Sequence, residues 1–398
     1  LATAIWVLND QLHQAQAALA SHQPGEVQVV FVEAEAVLRQ RPHLQKQILF
    51  WSAQRHFAAE LKAAGWDVHQ LEAASHCEAL IPWLKQYGIS RLVVMEPPDR
   101  PIRQAIDRLA QQSDWPCQLE WIGNNQFLWT AGEFSRWAGS KKQLRMEFFY
   151  REGRRRFNVL MDGDQPQGGQ WNFDQDNRKP PPKGLEGPPP LWFKPDAITS
   201  AVIEKLNALA EIYQLPGESQ PFSWGVSRQQ AQQVLEHFIT TRLEGFGPYQ
   251  DAMVSGQPTL WHSLISPYIN LGLLQPLAVI RELESAGREH QIPLASLEGV
   301  IRQLLGWREF THGLYHHFGE DYSHSNALEA VEPLPDFLHA LGGSGMGCVD
   351  TVLAELKERG YAHHIQRLMV LTNLGLMAGW NPQQFTSWFQ AQFVDAHH

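Results

Sequence analysis

The stretch Trp261-His262-Ser263-Leu264-Ile265-Ser266-Pro267-Tyr268 places two serines and a proline at the start of a helical pattern. A serine at such a position accepts a hydrogen bond from a free backbone N–H group, and the same free N–H groups attract anions. Ser263 and Ser266 therefore have two interpretations, ordinary helix capping and the binding of an anionic group. The residues themselves leave both interpretations open.

Helical periodicity continues on both sides of this stretch, from about residue 199 to the end of the chain. Apolar residues recur there every three to four positions, which is the period of an amphipathic helix. The predicted helices include Ala201–Tyr213, Arg228–Leu243, Leu273–Ala286, Leu297–Tyr315, Asp350–Arg359 and His363–Met377. We therefore predict an all-helical domain over residues 199–398.

The first third of the chain has a different pattern, in which short apolar runs alternate with helical segments. The predicted strands are Ala4–Leu8, Val27–Val32, Trp66–Leu71, Arg91–Met95 and Gln118–Ile122. Strands that alternate with helices predict a doubly wound parallel sheet, and ligands of such sheets lie beyond the carboxyl ends of the strands. Residues 1–133 are accordingly predicted to form an α/β domain.

A basic cluster and a long linker lie between these two parts, over residues 134–198. The linker, Asp162–Pro195, is rich in Gly, Asn and Pro and is predicted to be stiff, with little regular structure. The basic cluster precedes it in a stretch predicted to be helical and consists of Lys141, Lys142, Arg145, Arg151, Arg154, Arg155 and Arg156.

Composition limits the classes of protein to which the chain can belong. The formal net charge of −10 argues against a surface coated with basic residues, although a local basic strip is compatible with it. The three cysteines are far apart, so we predict no disulfide framework and a reducing, cytoplasmic location. No apolar run reaches the ~20 residues of a membrane span, and no signal-peptide pattern is present. We also expect a monomer.

Three blocks of the helical part, taken in order, resemble the FAD-binding half of photolyases and cryptochromes. They are Trp261–Tyr268, Gly306-Trp307-Arg308-Glu309-Phe310 and Tyr361–Met369. Other stretches are similar to the bacterial iron–sulfur branch of that family, which includes the prokaryotic (6-4) photolyases: Asn9–Leu12, Ser52–Phe57, Met146–Arg151, Gly169–Asp174, Gln250–Met253 and Cys348–Thr351. The resemblance covers essentially the whole chain and implies the photolyase/cryptochrome fold, an α/β domain followed by a helical FAD-binding domain.

The function that the resemblance implies is light-driven repair of UV-induced pyrimidine dimers in DNA, and of (6-4) photoproducts in particular. In this family photoexcited reduced FAD gives an electron to a lesion that has been flipped out of the duplex. Two alternatives are a cryptochrome-like blue-light photoreceptor and a non-enzymatic remnant that binds nucleotide or DNA. The presence of His364 and of the basic cluster favours repair.

The resemblance also implies a set of site residues. FAD contacts are expected from Tyr249, His262, Ser263, Leu264, Ser266, Gln303, Trp307, Arg308, His364, Arg367 and Asp395. Arg308 has an alternative interpretation as a partner of Glu309, and Trp307 as a core residue. His364, with His363 beside it, is the expected proton donor and acceptor, because the pKa of histidine lies near physiological pH. Trp388 matches a position of the electron path, although Phe389 stands where an oxidisable Tyr is expected.

Two further expectations concern an antenna chromophore and DNA. A ribityl-lumazine antenna is expected at Asn9, Asp10, Glu33 and Glu35, which have turn or capping roles as the alternative. DNA contact is expected from Lys141, Lys142, Arg151, Arg154, Arg155 and Trp171, and a solvated helix face is the alternative.

Cys348 matches the first ligand of a 4Fe–4S cluster, which needs four thiolates. Cys77 and Cys117 belong to the first domain, so the chain as written is not expected to hold the cluster. We also expect that the chain is cut before the end that relatives have, and the alternative is a reduced form that has lost its cluster.

Overall fold

A five-stranded parallel sheet forms the first part of the molecule. The computed structural model describes residues 2–139 and 141–397, and within these residues the strand order is β3-β2-β1-β4-β5. The strands are β1 Ala2–Trp6, β2 Gln28–Ala34, β3 Asp67–Ala73, β4 Ile89–Met95 and β5 Gln118–Ile122. Each overlaps a predicted strand, and the order winds outward in both directions from β1. The predicted doubly wound parallel sheet is therefore confirmed.

Both faces of this sheet are buried, as a parallel sheet requires. Along β2, Val29 and Phe31 enter a core that is continuous with the helical part, while Val30 and Val32 enter a second core on the opposite face. This alternation follows from the two-residue period of a strand. The accompanying helices are α1 Ala17–Ala20, α2 Leu44–Ala63, α3 His76–Gln86, α4 Arg100–Ala110, α5 Ala131–Gly139 and α6 Met146–Phe157.

The segment that follows α6 contains little regular structure, in agreement with the prediction of a linker. It has a short hairpin, β6 Met161–Asp162 with β7 Gln165–Pro166, and a 3₁₀ turn at Gln167–Gly169. Because α6 begins only at Met146, the predicted helical environment of Lys141 and Lys142 is wrong; both precede the helix. The division into domains at residues 133 and 198 stays a prediction.

The remainder of the chain is helical, as predicted. Its helices are α7 Ala197–Tyr213, α8 Arg228–His237, α9 Leu243–Tyr249, α10 Ser266–Asn270, α11 Pro276–Glu289, α12 Leu294–Ile301, α13 Glu309–Phe318, α14 Asp336–Ala340, α15 Gly347–Arg359, α16 Asn373–Ala378 and α17 Pro382–Gln392. Within the described ranges, no helix is both long and apolar enough to span a lipid bilayer.

Three of the predicted helices contain a π-helical segment that the sequence pattern does not reveal. These segments are Phe238–Arg242, Arg302–Arg308 and Gln366–Thr372. A π turn changes the direction of the side chains after it, and such turns are frequent at functional sites. The second and third segments supply residues to the cavity described below.

Candidate functional site

A cavity of about 520 Å³ lies between the loop at residues 259–265, the second and third π-helical segments and the end of the described chain. We call it the large cavity. Of the residues expected to contact FAD, the following line it: His262, Ser263, Leu264, Ser266, Gln303, Trp307, His364, Arg367 and Asp395. The structure thus brings together residues that are up to 133 positions apart in the sequence.

The loop at residues 259–265 has an unusual backbone. Leu260 and Leu264 have φ angles of 40° and 58°, in the left-handed region that non-glycine residues rarely adopt. Such a conformation costs about 1–3 kcal/mol and is found mainly at functional sites. In the described part of the chain, the backbone N–H groups of Ser263 and Leu264 form no hydrogen bond with the protein. The loop therefore offers two unused donors at the wall of the large cavity.

Ser266 does not cap the helix that it begins. Its Oγ instead donates to Oδ2 of Asp395 at 2.7 Å. Asp395 also contacts Arg367, with Nη1 to Oδ1 at 2.9 Å and Nη2 to Oδ2 at 3.1 Å. Burial raises the pKa of Asp395, but Arg367 and the Ser266 hydroxyl outweigh it and hold that pKa below its usual value. The carboxylate is therefore charged at neutral pH.

The two adjacent histidines have different environments. His364 is exposed and lines the large cavity, whereas His363 is fully buried behind the wall. The ring of His363 stacks on that of His262, with centroids 4.5 Å apart and planes inclined by 13°. Burial lowers the pKa of His363 to about 3 and that of His262 well below its usual value. The placement of His363 at a reaction site is therefore wrong, because it does not reach the cavity.

The pKa of His364 is also lowered from its usual value. Burial and the charge of Arg367 lower its pKa, while Asp251 and Asp395 raise it in part. A neutral imidazole has one N–H donor and one acceptor nitrogen, so the side chain is able to give or take a proton at the cavity.

Several charged residues that line the cavity were not singled out individually from the sequence. They are Asp174, Arg178, Asp251 and Arg302. Arg302 contacts Asp174 at 2.8 Å, and Arg178 contacts the same carboxylate and lies 4.0 Å from Asp251. Asp174 and Asp251 lie in stretches that carry the family resemblance, and that resemblance could have indicated them as site residues. Arg302 had no such signal.

Two residues expected at the FAD site lie elsewhere. Tyr249 does not line the large cavity; its ring packs against Trp261, with centroids 5.2 Å apart. Arg308 forms an ion pair with Glu309 at 2.8 Å and lies over the ring of Phe127 at 4.0 Å. Neither residue lines the large cavity, so their FAD contacts stay predictions, and Arg308 forms the ion pair with Glu309 that its alternative interpretation describes.

Arg308 lines a second, small cavity of about 340 Å³ at the carboxyl edge of the sheet. Asp10, which follows β1, is on its wall, and burial raises the pKa of Asp10 to about 7. Phe127 stacks on His312 there, with centroids 3.6 Å apart. Asp395 lines both cavities and so forms a shared part of their walls.

The other residues expected at the antenna site do not line this small cavity. Glu33 is buried and held by Arg55, with contacts of 2.6 and 2.7 Å, and by Lys205 at 3.0 Å. Glu35 accepts a hydrogen bond from the Tyr213 hydroxyl at 3.0 Å. Asn9 is half-buried and is also absent from the cavity wall. The structure thus brings only Asp10 to the small cavity, and the antenna role of the four residues stays a prediction.

The basic cluster is only partly available to a ligand. Lys141, Lys142 and Arg155 are exposed. Arg154 is completely buried and donates to the carbonyls of Val159 at 3.2 Å and Trp171 at 2.9 Å. A phosphate contact from Arg154 is therefore wrong, because its guanidinium is used inside the protein.

Trp171 lies beside this cluster and is surrounded by arginines. The guanidinium carbon of Arg155 is 4.6 Å from the centre of the Trp171 ring, and that of Arg151 is 5.6 Å away. Arg151 also forms an ion pair with Glu147 at 3.0 Å. The indole is half-buried, so part of it remains open to a partner.

Trp388 is buried, and its Nε1 donates to the carbonyl of Leu338 at 3.1 Å. Its ring centroid is 6.0 Å from that of Phe393, and the guanidinium of Arg367 lies 4.2 Å over Phe393. Trp388 thus packs on Phe393, which in turn lies under Arg367 of the cavity wall.

Cys348 is exposed, at the start of α15. Among the residues that the structure describes, no group of three or more His, Cys, Asp or Glu side chains is placed to hold a metal ion. Cys77 and Cys117 pack against the core on the far face of the sheet. The residues present do not fit a 4Fe–4S cluster.

Comparison with known proteins gives consistent matches. The profile of the family described as deoxyribodipyrimidine photo-lyase-related protein matches residues 5–224. The chain is 38% identical over 403 aligned residues to a protein of Agrobacterium fabrum named (6-4) photolyase, an alignment that covers 99% of this chain and 78% of that protein.

Two solved structures are similar in fold. A bacterial class III photolyase from Agrobacterium tumefaciens superposes with a TM-score of 0.66 at 18% identity, over 99% of this chain and 77% of the other. A cryptochrome from Synechocystis superposes with a TM-score of 0.64 at 14% identity, over 99% and 79%. At these identities the likeness establishes the fold alone, which is that of photolyases and cryptochromes.

Proposed function

Because the chain belongs to the deoxyribodipyrimidine photo-lyase-related protein family, we propose that it repairs UV-induced pyrimidine dimers in DNA with light, and (6-4) photoproducts in particular. The family implies FAD as the cofactor. The observation that carries the proposal is the large cavity, which combines the loop of unused backbone donors with His364 on its wall.

The residues of the large cavity fit an FAD molecule. The N–H groups of Ser263 and Leu264 are suited to its diphosphate, because backbone donors bind phosphate oxygens well. Gln303, Arg367 and Asp395 add polar groups, and Trp307 adds an aromatic surface that is half exposed. When bound in its reduced form, FAD supplies the photoexcited electron that opens the bonded pyrimidine pair.

The role of His364 is to hold and move a proton at the lesion. It is exposed at the cavity and its pKa is lowered, so that it is neutral at pH 7. One ring nitrogen then donates and the other accepts, which is what general acid–base catalysis requires. Asp251 and Asp395 stabilise its charged form when it gains a proton.

Trp388 is our candidate for a residue that relays electrons toward the cavity. Its neighbour Phe389 is less easily oxidised than a tyrosine, so the path relies on Trp388. The close packing of Trp388, Phe389 and Phe393 supports this proposal.

The DNA would bind across the exposed basic residues and the rim of the large cavity. Lys141, Lys142 and Arg155 contact phosphates, and Trp171 stacks on a base. Trp171 is only three residues from Asp174, which lines the large cavity. DNA that contacts Trp171 therefore lies close to the mouth of that cavity. A damaged pair is cheaper to flip into such a cavity than an intact one.

The small cavity is our candidate for an antenna chromophore such as a ribityl-lumazine. Asp10, protonated in part at neutral pH, and the stacked pair Phe127 and His312 are suited to a planar ring with polar edges. We derive no step from a 4Fe–4S cluster, because the described residues do not fit one.

The test is a repair assay on the FAD-loaded, photoreduced protein. Duplexes with one (6-4) photoproduct or one cyclobutane dimer are illuminated with blue light or kept dark, and restored thymines are measured by chromatography. We expect restoration of the (6-4) duplex in the light only. FAD binding without repair of either duplex would favour a photoreceptor, and a protein that never takes up FAD would favour a remnant.

A further inference from the structure

Arg242 is a buried cation whose hydrogen-bond acceptors are all neutral. It ends the first π-helical segment and is 1% exposed. Its Nη1 donates to the carbonyl of His262 at 2.7 Å, and its Nη2 donates to the carbonyl of Pro188 at 2.6 Å and to Oγ1 of Thr259 at 3.1 Å. No carboxylate of the described residues lies within ion-pair distance of Arg242.

The charge of Arg242 persists at neutral pH. Burial lowers its pKa to about 10, which leaves it protonated. Burying a charge without a counterion is costly, and hydrogen bonds to neutral acceptors offset only part of that cost. The charge of Arg242 acts on the wall of the large cavity, because it is one of the causes that lower the pKa of His262.

The cavity wall itself supplies no net positive charge. Its arginines are Arg178, Arg302 and Arg367, and each contacts an aspartate or glutamate. Three aspartates of the wall, Asp174, Asp251 and Asp395, balance them. A ligand with two negative charges therefore needs a positive potential from behind the wall.

Arg242 also fastens the loop that carries the unused donors. Thr259 and His262 belong to the same loop as Ser263 and Leu264, and Pro188 belongs to the linker. Gly187 lies so close to this loop that a Cβ atom there would stand 2.6 Å from Cα of Leu260. The guanidinium thus ties the linker and the loop together at the point where the backbone is left-handed.

We propose that Arg242 is a positioning residue for the diphosphate of the FAD cofactor: it holds the 259–264 loop and supplies the positive charge that the cavity wall lacks. This inference rests on the proposed function, because it assigns the anionic part of that ligand to this end of the large cavity. Nothing in the sequence pattern indicates it, since Arg242 lies within a predicted helix like many surface arginines.

The experiment compares the affinity of the apoprotein for FAD with its affinity for riboflavin, which lacks phosphate. Arg242→Met is expected to weaken FAD binding about tenfold or more, and riboflavin binding less than about threefold. The dependence of FAD affinity on KCl concentration should also become shallower. Arg242→Lys keeps the charge, so it should bind FAD within about threefold of the unaltered protein.

The control is Arg228→Met on α8. Arg228 also donates to two backbone carbonyls, those of Leu12 at 2.7 Å and Leu273 at 2.8 Å, but it does not line the large cavity. Its replacement should leave the ratio of FAD to riboflavin affinity unchanged. Thr259→Val removes one acceptor and keeps the charge, and it too should bind FAD within about threefold.

Equal losses of FAD and riboflavin affinity in Arg242→Met would reduce Arg242 to a purely structural role and overturn the proposal. So would an Arg242→Lys protein as weak as Arg242→Met. If Arg242→Met does not fold, as judged by circular dichroism, the lysine and Thr259→Val variants decide, through FAD affinity and its salt dependence. Failure of the unaltered protein to bind FAD would instead refute the proposed function itself.

Discussion

Arg367 and Asp395 are joined by two contacts, of 2.9 and 3.1 Å, although they are 28 residues apart in the chain. Asp395 in turn accepts the Ser266 hydroxyl, and its backbone carbonyl accepts from Asn270 at 2.7 Å. The pair therefore ties the last turn of the described chain to the loop of the large cavity. Since Asp395 is also part of the small cavity, this single carboxylate contacts both sites.

Asp395→Asn should destabilise the protein and weaken FAD binding. It leaves the largely buried Arg367 without its charge partner, which we expect to cost about 2–4 kcal/mol in the free energy of unfolding. Urea unfolding measures this. Ser266→Ala is the matched control, because it removes one hydrogen bond to the same carboxylate and should cost only about 1 kcal/mol. Equal costs for the two variants would show that the ion pair contributes little.

The buried histidines should make the protein sensitive to acid. Burial holds the pKa of His363 at about 3 against an unfolded value of 6.5, so below pH 6.5 the unfolded chain binds more protons than the folded one. The free energy of unfolding is then highest above pH 6.5 and falls as pH decreases.

His363→Phe keeps the ring stack but removes one titrating group. The slope of stability with pH should therefore decrease by about 1.4 kcal/mol per pH unit between roughly pH 6 and pH 4. Denaturant unfolding at a series of pH values measures the slope. The difference in slope should vanish above about pH 7.5, and parallel curves at all pH values would contradict the assignment of a depressed pKa.

His364→Ala should lower the rate of (6-4) repair per bound FAD by about 100-fold or more, because it removes the acid–base group at the cavity. The absorbance of bound flavin should change little in comparison. His363→Phe serves as the control, since His363 lies behind the wall and should affect repair by less than about tenfold. A His364→Ala protein that repairs within about threefold of the unaltered protein would end the acid–base assignment.

The exposed basic residues should govern DNA affinity by neutralising phosphates. Replacing Lys141 and Lys142 by Ala should weaken binding to damaged and undamaged DNA alike. The slope of log affinity against log salt should fall by about 0.9 for each phosphate that the variant no longer neutralises. Fluorescence anisotropy at several salt concentrations measures both quantities.

Lys62→Ala is the control for this experiment, because Lys62 is an exposed lysine on α2, outside the basic cluster. Arg154→Met should lower the free energy of unfolding, because Arg154 is buried and donates to backbone carbonyls. It should leave the slope of log DNA affinity against log salt unchanged. A salt slope that changes as much in Arg154→Met as in the lysine variants would contradict its buried role.

Local patterns were sufficient for much of the fold. The five strands and the order of an α/β part, a linker and a helical part follow from apolar periodicity, which depends on neighbouring residues only. The π-helical segment at Gln366–Thr372 escaped prediction, because one extra residue in a turn leaves the apolar pattern nearly unchanged. Yet that segment orients Arg367 toward Asp395.

The sequence by itself determined the family, the parallel sheet and nine of the residues that line the large cavity, because these are encoded in short motifs and in local periodicity. Only the tertiary structure decided which partner each charged side chain has. Arg154 donates to backbone carbonyls, Glu33 pairs with Arg55 and Lys205, and Arg308 pairs with Glu309. It also decided that the acceptors around Arg242 are neutral. The physical reason is that burial and pairing depend on contacts between residues far apart in the chain. Local sequence patterns do not show which of these residues are in contact.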